Sequence, residues 1–133
     1  MITGGKIDYV EGKKNREDEF KGLNLNISVE DVKVNGEEVH VSYTYEANYA
    51  DDIGAIKIKG IIISKEDKKA AKEIDDEWKK SKKMPPAFAE EILSAVNYTG
   101  SVNGIFVARV LNLSPTLVPQ RIQMGGAEVQ TKK

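Results

Sequence analysis

Residues 23–63 read LNLNISVEDVKVNGEEVHVSYTYEANYADDIGAIKIKGIII, and the alternation in this stretch decides the fold. Leu23, Leu25, Ile27 and Val29 alternate with polar residues, as do Val32 and Val34, with a one-residue slip of phase between Val29 and Val32. Asn35-Gly36 follows, a pair suited to a two-residue type I′ hairpin because both turn positions there need positive φ. Beyond it Val39, Val41, Tyr43, Tyr45, Ala47 and Tyr49 keep period two. A turn at Asn35-Gly36 pairs Val32 with Val39 but sets Val41 opposite Glu30. One extra residue near Glu30-Asp31 repairs this, so the pattern predicts a β-bulge there. The pairs then become Val29–Val41, Ile27–Tyr43, Leu25–Tyr45 and Leu23–Ala47. A second turn at Asp51-Asp52 places Ile56, Ile58 and Ile62 opposite Ala47, Tyr45 and Val41.

One face of this meander is apolar throughout. The other carries Asn24, Asn26, Ser28, Ser42, Thr44, Glu46, Asn48, Lys57 and Lys59, with Glu46 and Lys57 placed to pair across strands. An antiparallel sheet with one apolar face needs a second layer on it. The predicted fold is therefore α+β: a four-stranded antiparallel sheet with two helices packed on one face.

Lys6 to Val10 reads as a short first strand with Ile7 and Tyr9 on one face. Glu11 to Gly22 is a charged crossover loop in which Phe20 stands alone, either as a plug over the core edge or as a contact on a binding groove. After the meander, Ser64-Lys65-Glu66-Asp67 opens a helix, with Ser64 as cap and Asp67 in the reciprocal position of a capping box. Ala70, Ala71, Ile74 and Trp78 form its narrow apolar stripe. Lys79, Lys80, Lys82 and Lys83 sit where the C-terminal dipole favours cations.

Met84-Pro85-Pro86 stops this helix and starts the next, which is expected from Pro86 to about Asn112. Its stripe is Phe88, Ala89, Ile92, Leu93 and Val96, continued by Val102, Ile105, Phe106, Val110 and Leu113. Gly100 and Gly104 lie inside it, one turn apart. Each costs about 1 kcal/mol relative to Ala in a helix interior, so close packing must compensate or the helix breaks. A coil with Pro115 and Pro119 follows. The domain is read as residues 1–124, and 125–133 as a frayed tail.

Lys and Arg number 20 and Asp and Glu 21, which leaves no clustered basic surface of the kind phosphate binding needs. There is no cysteine, hence no disulfide or thiolate chemistry. The opening Met1-Ile2-Thr3-Gly4-Gly5 lacks the pattern of a signal peptide, and the longest apolar stretch, Ile105 to Leu113, is too short to span a bilayer. A cytoplasmic domain without membrane insertion is expected. His40 is the single histidine, expected on the polar face beside Asp31, so no His-based metal cluster or Ser-His-Asp triad can form. Asp51-Asp52 and Asp75-Asp76 lack an apolar setting for acid–base work. The glycines make no phosphate-binding spacing. No enzyme, cofactor or metal site is expected.

The order of short strand, crossover loop, three-strand meander and two helices resembles the SecB family of protein-export chaperones. Lys21-Gly22-Leu23-Asn24-Leu25-Asn26-Ile27 is similar to that family's second strand. Ile92-Leu93-Ser94-Ala95-Val96 followed by Pro115-Thr116-Leu117-Val118-Pro119 resembles its long second helix and proline-punctuated exit. The likeness covers residues 4–124. Asn97-Tyr98-Thr99 departs from the Phe-Pro-Tyr step of many members, and the near-neutral charge departs from members that work with the SecA motor.

The resemblance implies sheet order 2-3-4-1, a dimer of dimers, and an ATP-independent holdase that keeps unfolded polypeptides in hydrophobic grooves. It equally admits a toxin–antitoxin-associated chaperone or an interaction subunit with one dedicated protein partner. Phe20, Trp78, Phe88 and Tyr98 are the candidate client-binding residues. Candidates for a homodimer or homotetramer interface are the edge residues Lys6, Ile7, Asp8, Tyr9 and Val10, and the helix residues Ala70, Ile74, Trp78, Gly100 and Gly104.

Overall fold

Period-two alternation in residues 23–63 places large apolar side chains on one side of three long strands, and that side becomes the core. The computed structural model describes residues 1–116, 121–124 and 127–130, the last two segments as backbone. Its elements are β1 (Ile2–Lys14), β2 (Leu23–Asn35), β3 (Glu38–Tyr49), β4 (Gly54–Lys65), α1 (Lys68–Ser81), α2 (Pro86–Leu111), β5 (Arg121–Met124) and β6 (Ala127–Gln130). The sheet order is β1-β4-β3-β2-β5-β6. The first four strands are antiparallel, and β5 joins β2 in parallel through Leu25–Ile122 and Asn26–Gln123. The fold is α+β, with the expected strand order 2-3-4-1 in its first four strands. Residues 127–130 lie in the segment expected to fray, yet they form a strand because Ala127–Gln130 pairs with Arg121–Met124. The other residues of that segment, and 117–119 of the proline-rich exit, lie outside the described residues.

The register confirms the bulge and corrects the turn. A shift falls between Val29 and Asp31, so Glu30 is the extra residue. The two-residue loop is Gly36-Glu37 rather than Asn35-Gly36, since Asn35 pairs with Glu38. Gly36 has φ +65° and Glu37 is not among the positive-φ residues, which fits a type II′ turn with glycine first. The pairs are therefore Val29–Tyr43, Ile27–Tyr45, Leu25–Ala47 and Leu23–Tyr49, two positions further along β3 than expected. Faces are unchanged by a two-residue slip. Across the second turn Ile56, Ile58 and Ile62 oppose Ala47, Tyr45 and Val41 as expected, and Glu46 stands opposite Lys57.

β1 is longer than expected and carries its own bulge between Ile7 and Tyr9. That bulge separates the two side chains: Ile7 opposes Gly60 on the helix side, whereas Tyr9 opposes Lys59 on the open side. Ser64 does not cap α1, because it is held in the β4 ladder opposite Val39 and is fully buried. Asp67 is the cap, accepting from the Ala70 N–H at 2.7 Å.

Both helices lie on the apolar face. Ala71, Ile74 and Trp78 are the buried residues of α1. Phe88, Ile92, Val96, Gly100, Gly104 and Ala108 recur every four residues along α2 and form its inner row. Ile27, Tyr45, Ile58, Ile92 and Val96 are wholly buried, and full burial of a large aliphatic side chain stabilises by about 1.5–3 kcal/mol. Gly100 sits against the ring of Tyr45, and Gly104 against Thr116. The glycines thus let α2 approach the chain's own sheet and the strap that follows the helix. Tyr45 Oη and Ser101 Oγ are 3.1 Å apart, while Thr116 Oγ1 donates to the Ser101 carbonyl at 2.6 Å. Asn112, at φ 55°, ends the helix in the left-handed region.

Candidate functional site

The four candidate client-binding residues do not converge. Phe20 is half-exposed in the crossover loop and meets Tyr49 edge-on, ring centroids 6.4 Å apart. Trp78 and Phe88 are buried, each 8% exposed, because both fall on the inward stripes of their helices. Tyr98 is 71% exposed on the outer face of α2. The helix residues expected at an interface are likewise turned inward: Ile74, Trp78, Gly100 and Gly104 are buried in the chain's own core, and Ala70 is half-buried.

A different set of exposed residues does cluster. Tyr98, Phe106 and Val110 stand on one row of α2, with half-buried Val102 between them at the same four-residue spacing. This row is two residues out of step with the inner row, about 200° around the helix. Phe106 is 64% and Val110 84% exposed, too open for the core stripe in which their spacing from Val96 seemed to place them. The four-residue row starting at Tyr98 was the available signal. Val10, itself exposed, lies on the helix side of β1 opposite Ile58.

Two recesses run between β1 and α2. One, of about 400 Å³, is lined by Gly5, Ile7, Tyr43, Ile62, Ala95 and Tyr98 among others. The second, of about 330 Å³, lies between Gly12 and the C-terminal part of α2, lined by Phe106, Val107, Val110 and Leu111. The lining of the second is wholly apolar in its side chains. Beside both, β1 ends the sheet, so along its outer side no strand among the described residues takes its N–H and C=O groups. Lys6, Ile7, Asp8, Tyr9 and Val10 occupy the middle of this edge. On its open face Lys59 Nζ lies 5.5 Å from the centroid of the Tyr9 ring. Tyr9 Oη donates to Glu11 Oε2 at 2.8 Å, and this bond holds the phenol pKa above its ordinary value.

The polar clusters elsewhere are structural. His40 lies opposite Lys33 rather than beside Asp31, owing to the shifted register, and its Nε2 is 2.6 Å from Glu38 Oε1. Asn15, Arg16 and Lys21 tie the crossover loop to Asp51 and Asp52. The Asp18 carboxyl is held below its usual range, chiefly by the Glu19 N–H and then by Lys21. Asp75 pairs with Lys79 at 3.0 Å. Among the described residues no group of three or more His, Asp or Glu is arranged to hold a metal, and no helix is long and apolar enough to cross a membrane. The chain matches no family model, no curated protein and no solved structure.

Proposed function

We propose that the chain is a SecB-like holdase that binds extended, unfolded polypeptide without ATP, acts in the cytoplasm and catalyses no reaction. One observation carries this reading: the exposed apolar row Tyr98–Phe106–Val110 runs beside the free edge of β1, with a recess at each end, the one at Phe106 and Val110 lined by apolar side chains alone. An extended chain can satisfy both features at once, its backbone along the open ladder and its alternate side chains in the recesses. Large apolar side chains exposed together along one element support an interaction site rather than a passive face. The proposal also includes assembly into two or four chains, with unfolded polypeptides rather than nucleic acid as partners.

The test is suppression of aggregation of a chemically unfolded protein, without ATP, at several-fold molar excess of the chain. Absence of suppression rejects the reading. The alternative is a single dedicated protein partner, as in a toxin–antitoxin-associated chaperone. It is favoured by the same surface if pull-down retains one folded protein in place of many unfolded ones.

A further inference from the structure

We propose that the recess between β1 and the middle of α2 selects tyrosine: the Tyr43 hydroxyl inside it donates to the phenol oxygen of a tyrosine carried by the bound chain. The proposal rests on the polypeptide-binding reading and names the residue that one recess of that groove takes.

The apolar face of β3 carries three tyrosines, and two of them spend their hydroxyls inside the fold. Tyr45 Oη lies 3.1 Å from Ser101 Oγ, and Tyr49 Oη donates to the Ser114 carbonyl. Tyr43 is as deeply buried, 2% exposed, yet its hydroxyl has no hydrogen-bond partner among the described residues. A buried polar group left without a partner calls for an explanation.

Its position supplies one. Tyr43, Gly60 and Ile7 stand side by side on β3, β4 and β1. A Cβ on Gly60 would lie 2.7 Å from Tyr43 Oη, so the ring reaches across β4 and sets its hydroxyl over Gly60, towards β1. Tyr43 lines the recess of about 400 Å³ there. The sealed, unpartnered side-chain atoms among the described residues are Thr44 Oγ1 and Trp78 Nε1, so the Tyr43 hydroxyl keeps surface open to the recess.

The rest of the lining sets what fits. Ile7, Ile62 and Ala95 wall the recess, and Gly5 leaves open the place of a side chain opposite Ile62. Burial, and then the charge of Asp8, raise the Tyr43 phenol, so it keeps its proton at neutral pH and has it to give. Lys, Arg and Trp cannot accept that proton. Phe, Leu and Ile would fill the walls but leave the hydroxyl buried and unpaired, at the full cost of its desolvation. Ser, Thr, Asn and Gln accept but cover little of the walls, and a carboxylate would come close to the Asp8 charge. Tyrosine joins a large apolar body to an accepting oxygen.

The test uses the whole chain, with the amide resonances of Gly5 and Gly60 as reporters and p-cresol and toluene as probes. Tyr43→Phe comes first as a control. With no bond to lose, its urea midpoint should match the wild type, in contrast to Tyr45→Phe. A lowered midpoint would show that the hydroxyl is used inside the core and overturn the proposal. The ratio of cresol to toluene affinity should fall about fivefold in Tyr43→Phe, the worth of one hydrogen bond. The peptide acetyl-Thr-Val-Tyr-Val-Thr-amide and its Phe counterpart should show the same fall. An unchanged ratio for the peptides overturns the proposal whatever cresol does, and their binding leaves the polypeptide reading standing. Peptides that fail to bind, beside a cresol ratio that falls as expected, sink the polypeptide reading and assign the recess to free phenols.

Discussion

A Cβ placed on Gly100 would lie 2.3 Å from Cδ2 of Tyr45 and 2.4 Å from its Cγ, at the rigid base of the ring. The helix thus rests on the sheet through a contact with no room for a methyl group. Gly100→Ala gains about 1 kcal/mol of helix propensity but forces overpacking that typically costs about 1–3 kcal/mol. We expect a net loss of stability, read as a lower urea midpoint at unchanged slope. A higher midpoint would mean that the ring can yield.

The Tyr45 hydroxyl and Ser101 Oγ form a buried hydrogen bond beside that contact. Tyr45→Phe and Ser101→Ala should each destabilise by about 1 kcal/mol. The double variant should lose clearly less than the sum of the two, because one bond is deleted in all three cases. Strict additivity would show that the two oxygens act independently.

Trp78 is the single tryptophan and is buried, so its fluorescence reports the docking of α1. Native emission should be blue-shifted and move to the red in one cooperative step with urea. Trp78→Ala should cost about 3–5 kcal/mol. A fold that tolerates a charged residue at this site would contradict the burial.

Burial pushes the Tyr49 phenol up to about 12, with proximity to Tyr45 adding to the effect, and burial likewise raises Tyr43 and Tyr45. The neutral phenol is the form the core retains. Its contribution is therefore fully present below the unfolded value near 10 and is lost as pH rises from there through about 12. For Tyr49 the loss should amount to about 2–3 kcal/mol. Urea unfolding between pH 8 and 12 would measure it, and Tyr49→Phe should flatten part of the decline. A curve with no decline above pH 10 would refute it.

What could be read in the sequence follows from what periodicity encodes. Alternation assigns each residue of 23–63 to a face, so the apolar side, the bulge at Glu30 and the β3–β4 pairing were legible. Alternation is blind to a slip of two, and the β2–β3 register turned on which pair formed the loop. Asn35-Gly36 and Gly36-Glu37 preserve the same faces, and only the backbone of Gly36 separates them. Ser64 had the chemistry of a cap, but the β4 ladder extends past it and Asp67 takes the role. The inner row of α2 was visible through Val96, while its outer row was merged with it across Gly100. Trp78 stood on a narrow stripe among lysines, and the stripe alone did not say that α1 would dock on β2 and bury it.

The two ends of the sheet are unequal: β1 presents 13 residues, whereas β6 at the opposite end has four. Addition of strands to a sheet is a polymerisation, and a unit with two reactive ends propagates. Beyond Leu25 and Asn26 no strand among the described residues pairs with the outer side of β2, so both ends of the sheet keep an open ladder. The charges of Lys6, Asp8, Glu11 and Lys13 along β1, and of Glu30, Asp31 and Lys33 along β2, stand where they oppose such growth.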